Sequence, residues 1–171
     1  MEQAIVRGVR VGPARSVLTV GLSGDTATTV SVLRVVARHA AALTRTPVGP
    51  GRAELVCTVA TSAAPRLLRE LAALHPLCEH DMVEVTLYGE GLRSDPVIAP
   101  TFCEALAREG ISLRLLTIGG TALSVVCGAG QVPAAVRALG EAFELPAGGV
   151  VRRGRVSQRR PVLPGGSPRS R

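Results

Sequence analysis

The 171-residue sequence has no tryptophan and no lysine, and its aromatic side chains amount to one tyrosine and two phenylalanines. With so few rings, any core must be assembled from Val, Leu, Ala and Ile. At 46% apolar residues there is enough material to build one. No apolar run approaches the ~20 residues that a bilayer-spanning helix needs. The N-terminus shows no hydrophobic signal-peptide region, so a cytoplasmic location and no membrane contact are expected. The four cysteines, Cys57, Cys78, Cys103 and Cys127, contain no C-x-x-C pair. Three of them fall inside apolar strand or helix patterns, where a reduced thiol packs as a small hydrophobe. Gly89-Glu90-Gly91 lacks the third glycine of a dinucleotide loop and the lysine of a phosphate loop. No ATP site, no cofactor and no kinase activity of the chain by itself are therefore expected.

Absence of one charge sign is also informative, because it is local. All twenty basic residues are arginines, and seven of them (152, 153, 155, 159, 160, 169 and 171) lie beyond Val150. All thirteen acids precede Leu145, so residues 1–150 are neutral and the net charge of +7 belongs to the tail. A folded body without net charge is poor material for a nucleic-acid surface, and no nucleic-acid partner is expected.

What is present is organised around Val83–Cys127. Val83, Val85 and Leu87 alternate with polar neighbours, which predicts a strand with one buried face. Ser94-Asp95-Pro96 reads as a helix start with Asp95 as N-cap and Pro96 at the first helical position. Ile98, Phe102, Ala105 and Leu106 share one helical face, and Gly110 supplies the stop. Strands are predicted from Ile111 and over Thr121–Cys127. Upstream, strands are predicted over Ala4–Val11 and Arg15–Leu22 with a Gly12-Pro13 turn between them. A helix capped by Asp25-Thr26 over 27–41, a weak strand over Leu43–Val48, a strand over Glu54–Ala60 and a helix over Pro65–Leu74 follow.

The halves repeat. Gly21 and Gly89, Leu55 and Leu123, Pro65 and Pro133, Arg69 and Arg137, and Leu71 and Leu139 are each 68 residues apart. Both prolines open a helix that follows a strand. The expected fold class is α+β, with two βαββαβ units of ferredoxin-like type and helices on one face of antiparallel sheet. The units are placed at 1–82 and 83–156. Within the second, Val150–Val156 is a candidate edge strand, and residues 157–171 form an Arg/Pro/Gly-rich tail expected to be disordered.

Gly-x-Gly-Leu-Arg-Ser-x-Pro (89–96), the Ala-rich helix after it, Glu109-Gly110-Ile111 and the strand pair beyond resemble the second regulatory ACT domain of aspartokinase. Val136–Phe143 resembles that domain's closing helix, and Met1–Val6 with Gly8-Val9 resembles the start of the separate small (beta) subunit. The resemblance implies a regulatory, non-catalytic protein that binds an amino acid where ACT units meet. It also implies homodimerisation, an N-terminal strand that completes the second unit, and a kinase-like catalytic partner. On this resemblance the candidate ligand residues are Arg93, Ser94, Asp95, Pro96, Val97 and Ile98 in the second βα loop. Ser112 and Leu113 in the next strand and Thr117 in the turn after it join them, with Asp25 and Thr26 in the first loop. The chemistry suits such a ligand, since amides at a helix start favour a carboxylate and a nearby acid favours an ammonium.

Several positions differ from the family pattern. The first loop, Leu22–Ala27, has no Pro-Gly, and Thr117-Ile118-Gly119-Gly120 stands where the family has a carboxylate-bearing turn. These differences support an alternative of another class: an ACT scaffold repurposed in a specialised biosynthetic pathway, as structural partner, binder of another small molecule, or new catalyst. Other constellations are weaker. Cys78-Glu79-His80-Asp81, with His75 nearby, cannot converge on one metal if extended, because alternate side chains face opposite ways. Neither Cys78 nor Cys103 has the base and oxyanion arrangement of a nucleophile.

Overall fold

The computed structural model describes residues 4–23, 25–146 and 150–152. Its elements in chain order are β1 (Ile5–Ser23), α1 (Thr26–Val36), β2 (Ala40–Gly49), β3 (Arg52–Ala60), α2 (Ala64–Glu70), β4 (Leu77–Glu90), α3 (Ile98–Arg108), β5 (Leu115–Ile118), β6 (Ala122–Gly128), α4 (Val132–Ala142) and β7 (Val150–Arg152). The sheet order is β2-β3-β1-β4-β6-β5, with β7 added to β1. All pairings are antiparallel except that of β7, which is parallel to β1 at Val9–Val11.

Two long strands make the two units one sheet. The second part of β1, Arg15–Ser23, pairs with β3, and Val17–Thr19 pairs with the start of β4. That gives the first unit the strand order of a ferredoxin-like βαββαβ motif. The first part of β1, Ile5–Val11, pairs with Val85–Glu90 of β4, whose other edge carries β6 and then β5. The second unit therefore has the same order, with its fourth strand supplied from the N-terminus, as the family resemblance implied.

The expected pair of strands over 4–11 and 15–22 is thus a single strand. Gly12-Pro13 does not turn the chain. Pro13 sits in a register irregularity between Val11 and Ala14, where a missing N–H breaks no ladder bond. Further irregularities lie between Val6 and Gly8 and between Arg15 and Val17, and Asp81 on β4 has a φ of 54°. Such bulges shift the alternation of faces. Val9 and Leu18, nine residues apart, consequently both point to the helix side.

Three apolar clusters follow. On the helix side of the first unit, Leu18, Val20, Leu55, Cys57 and Val59 pack against Val32 and Val36 of α1 and Leu67 of α2. On the helix side of the second, Val85, Leu87, Leu123 and Val125 pack against Phe102 and Leu106 of α3 and Ala135 and Leu139 of α4. The third, Val17, Met82, Leu115 and Val126 with Val56 against it, lies on the opposite face, since Val126 and Val56 alternate with residues of the first two clusters. Each fully buried aliphatic or aromatic side chain contributes roughly 1.5–3 kcal/mol.

The repeat is visible in space. Leu55 and Leu123 are both core residues, and Pro65 and Pro133 both sit in the first turn of their helices. Several boundaries differ from the sequence expectation. The helix expected over 27–41 stops at Val36, because Ala40–Gly49 is taken into the sheet as the partner of β3. The helix expected over 65–74 ends at Glu70 and continues as a short 3-10 turn, Ala72–Leu74. The strand expected from Ile111 begins only at Leu115. Ile111 instead closes the end of α3, donating its amide to Leu106 and burying its side chain. Of the edge strand expected over 150–156, residues 150–152 form β7, and 153–156 with the 157–171 tail lie outside the described residues.

Candidate functional site

The loop after β4 is built from the backbone outward. Gly91, with φ of +69°, turns the chain out of the strand, and Leu92 is buried with its amide on the Gly120 carbonyl at 3.0 Å. Ser94 and Asp95 both return their amides to the Gly91 carbonyl, at 3.0 and 3.2 Å. This tight turn presents Arg93, Ser94, Pro96 and Val97 to solvent, leaves Asp95 half-buried and sends Ile98 into the core.

Asp95 does not cap α3 as expected. The helix starts at Ile98 with Val97 as its N-cap, so Pro96 precedes the helix rather than opening it. The Asp95 carboxylate accepts the Val97 amide through Oδ1 at 3.0 Å and the Ala4 amide through Oδ2 at 3.1 Å. Its carbonyl accepts the Ile98 amide at 3.4 Å. With residue 100 a proline, three of the first four amide positions of α3 (97, 98 and 100) are unavailable to a ligand. A carboxylate approaching this loop would meet Arg93, Ser94 and the single Ala99 amide.

Asp25 does cap α1. Its Oδ1 accepts the Thr28 amide at 2.8 Å and its Oδ2 the Ser23 hydroxyl at 3.1 Å. Hydrogen bonding from Thr28 holds its carboxyl below the ordinary 3.8. Thr26 is exposed on the first turn.

These residues do not converge within one chain. Asp25 follows the end of β1 and Asp95 binds its beginning, so 19 residues of strand lie between them. At about 3.3 Å per residue that is roughly 60 Å of strand. Ser112 and Leu113 lie beyond the far end of α3, whose eleven residues span roughly 16 Å. Both are exposed, as is Thr117 on β5, which is in register with Ser124. The sheet runs β4 and β5 in the same direction, which places Ser112 at the opposite end of the unit from Arg93.

Two recesses escaped sequence reasoning. A groove of about 380 Å³ between α1 and α2 is lined by Ala27, Thr28, Ser31, Val35, Glu70 and Leu74. A recess of about 570 Å³ on the other sheet face is lined by Thr19, Glu54, Val56, Leu77, Glu79 and Arg114, with Glu79 and Arg114 paired at 2.8 Å. Both depend on packing distances that no periodicity reports.

The Cys78–His80 stretch is extended in β4, and Asp81 follows it with a positive φ. Cys78 and His80 share a face, with Sγ to Nδ1 at 3.9 Å and the Ser16 Oγ to Nδ1 at 3.1 Å, while Glu79 turns to Arg114. Cys57 and Cys78 both flank Leu18, on strands two places apart. That spacing, roughly 9–10 Å, exceeds the ~7 Å reach of a disulfide. Burial pushes the Cys57 thiol up to about 11 and raises that of Cys78, so neither is poised as a thiolate.

The ACT domain family model matches residues 85–143, the span from β4 through α4. Residues 85–143 carry an ACT domain. Its aspartokinase relatives include that of Mycolicibacterium smegmatis, 32% identical over 158 residues, covering 85% of this chain and 38% of that protein. The aspartokinase of Mycobacterium tuberculosis is 32% identical over 102 residues, 56% of this chain and 24% of the other. The chain thus spans well under half the length of these curated relatives. Among solved structures, the regulatory subunit of aspartate kinase from Thermus flavus superimposes with a TM-score of 0.73 at 23% identity, over 81% of this chain and 98% of that one. A structure of aspartokinase alpha and beta subunits gives 0.74 at 20% identity, over 82% and 100%. At these identities the likeness carries the fold alone, here two ferredoxin-like units sharing one sheet. The first, outside the matched residues, has the same ferredoxin-like strand order. Among the described residues no helix is long and apolar enough to cross a membrane.

Proposed function

We propose that this chain is a non-catalytic regulatory ACT protein that binds an amino acid or a related compact zwitterion, and that it acts on a kinase-like catalytic partner. The division into units is proposed at residues 82 and 83, with Ile5–Val11 lent by the first to the second. The observation that carries the function is the βα loop of the ACT fold. It offers an exposed guanidinium and hydroxyl at Arg93 and Ser94 beside the half-buried Asp95 carboxylate. Arg93 pairs the ligand carboxylate and the Asp95 carboxylate receives its ammonium. Because Asp25, Asp95 and Ser112 lie far apart in one chain, a site that draws on both units requires a second copy, and the protein is proposed to act as a homodimer in the cytoplasm.

A ligand bound only to the folded state raises the unfolding temperature, by the equivalent of about 2.7 kcal/mol at a hundredfold excess over Kd. Thermal unfolding with lysine, threonine, methionine or aspartate should show an upward shift for at least one, and Arg93→Ala should remove it. No shift with any of the four would remove the amino-acid reading.

One observation favours the second reading, an ACT scaffold repurposed for a specialised biosynthetic pathway. The amides at the α3 start are largely consumed by Asp95 and Pro100, so the cradle for a ligand carboxylate is narrower than the loop sequence implies. Co-purification of a catalytic chain without any amino-acid response would support it.

A further inference from the structure

We propose that Asp95 is a latch on the N-terminal strand, and that a cation arriving at its Oδ2, such as a ligand ammonium, releases the first residues of that strand. The inference rests on the loop being the ligand site, but its test does not.

One carboxylate holds two places that are distant in sequence. Oδ2 takes the Ala4 amide at 3.1 Å, immediately before β1, and Oδ1 takes the Val97 amide at 3.0 Å, immediately before α3. Ile5 and Val6 then lie in register with Glu90 and Gly89, and Arg7 pairs with Glu90. The opening of β1 is therefore seated on the loop at both its backbone and its side chains.

Apolar burial there is partial, since Ala4 and Val6 are half-buried against the second core. Ile5 is 56% exposed, whereas Val9, four residues on, is fully buried in the second core. The Arg7–Glu90 pair is solvent-exposed on both sides, where ion pairs contribute little. Hydrogen bonds to Asp95 and β4 thus share the attachment of residues 4–6 with the half-buried Ala4 and Val6. The register irregularity between Val6 and Gly8 separates this segment from the buried part of the strand. It can detach without disturbing Val9, which is the property a strap needs. Detachment would free the β4 edge at Glu90 and uncover the loop, so a ligand that uses Asp95 changes the surface that a partner meets.

Hydrogen exchange followed residue by residue tests this without ligand. Asp95→Asn keeps a single acceptor oxygen, so it cannot serve both the Ala4 and Val97 amides, and Asp95→Ala serves neither. Both should speed exchange over residues 4–6 and at Glu90 by roughly three- to tenfold, the equivalent of one hydrogen bond, while the Gly89 amide, bonded to the Thr121 carbonyl, should keep its protection. Val9–Val11 and β3 should keep their protection. Unchanged exchange at residues 4–6 in both variants would overturn the latch, and so would a uniform loss across all strands. A wild-type protein that shows no thermal response to amino acids would sink the functional reading while leaving this result untouched.

Discussion

Asp25 and Asp95 show how one residue type at equivalent loops is put to different use by its neighbours. Asp25 stands in front of its helix, fully exposed, and the Thr28 bond lowers its proton affinity in the folded state. A carboxyl with a depressed native pKa stabilises the fold above its unfolded value and loses that contribution as pH falls through the native value. Asp25→Asn, which keeps a capping oxygen but no charge, should therefore unfold at lower urea than wild type at pH 5 to 7. The gap should close as pH drops below the ordinary 3.8. A gap that stays constant down to pH 2.5 would show that the charge has no part in the cap. Asp95 also precedes its helix, but three residues before Ile98, and it is drawn onto the Ala4 amide and leaves the capping position to Val97. Nothing local in Ser94-Asp95-Pro96 announces a partner 91 residues away.

At the scale of elements, the repeated glycines separate pattern from necessity. Gly21 and Gly89 occupy matching places in the two halves. A Cβ on Gly21 would meet nothing within 4 Å, whereas one on Gly89 would stand 2.1 Å from the Ile5 carbonyl oxygen. Gly89→Ala should therefore cost about 1–3 kcal/mol, the usual range for overpacking. Gly21→Ala should stay within about 0.5 kcal/mol of wild type, as open surface positions do. Equal effects on the denaturant midpoint would contradict the seating of the N-terminal strand against β4. The same strand explains which elements were legible. Val83, Val85 and Leu87 announce their strand by alternation, and Ile98, Phe102 and Leu106 announce α3 by helical spacing, because one buried face dictates each pattern. Gly12-Pro13 has the local chemistry of a turn. It is overruled because neighbours on both sides supply a ladder and a bulge absorbs the proline. Val36 ends α1 for a comparable reason: residues 40–49 gain more from pairing with β3 than from another helical turn.

For the whole molecule, the long β1–β4 pair joins the two units and distributes the candidate ligand residues along it. If a site needs the first loop of one copy and the second loop of another, the native particle should have twice the mass of one chain. Light scattering coupled to size-exclusion chromatography at micromolar concentration should show that dimer. A monomer at every concentration tested would leave each loop to act alone.

The order of strands and helices, the duplication and the apolar faces were determined by the sequence itself. Periodicity and spacing follow directly from which side of each element is buried, so they survive as a linear pattern. Only the tertiary structure decided that two predicted strands are one, that its first segment completes the second unit, and that Asp95 binds a backbone amide rather than a helix start. Those outcomes depend on which backbone donors and sheet edges meet across ninety residues, a matter of distance in space that has no period along the chain.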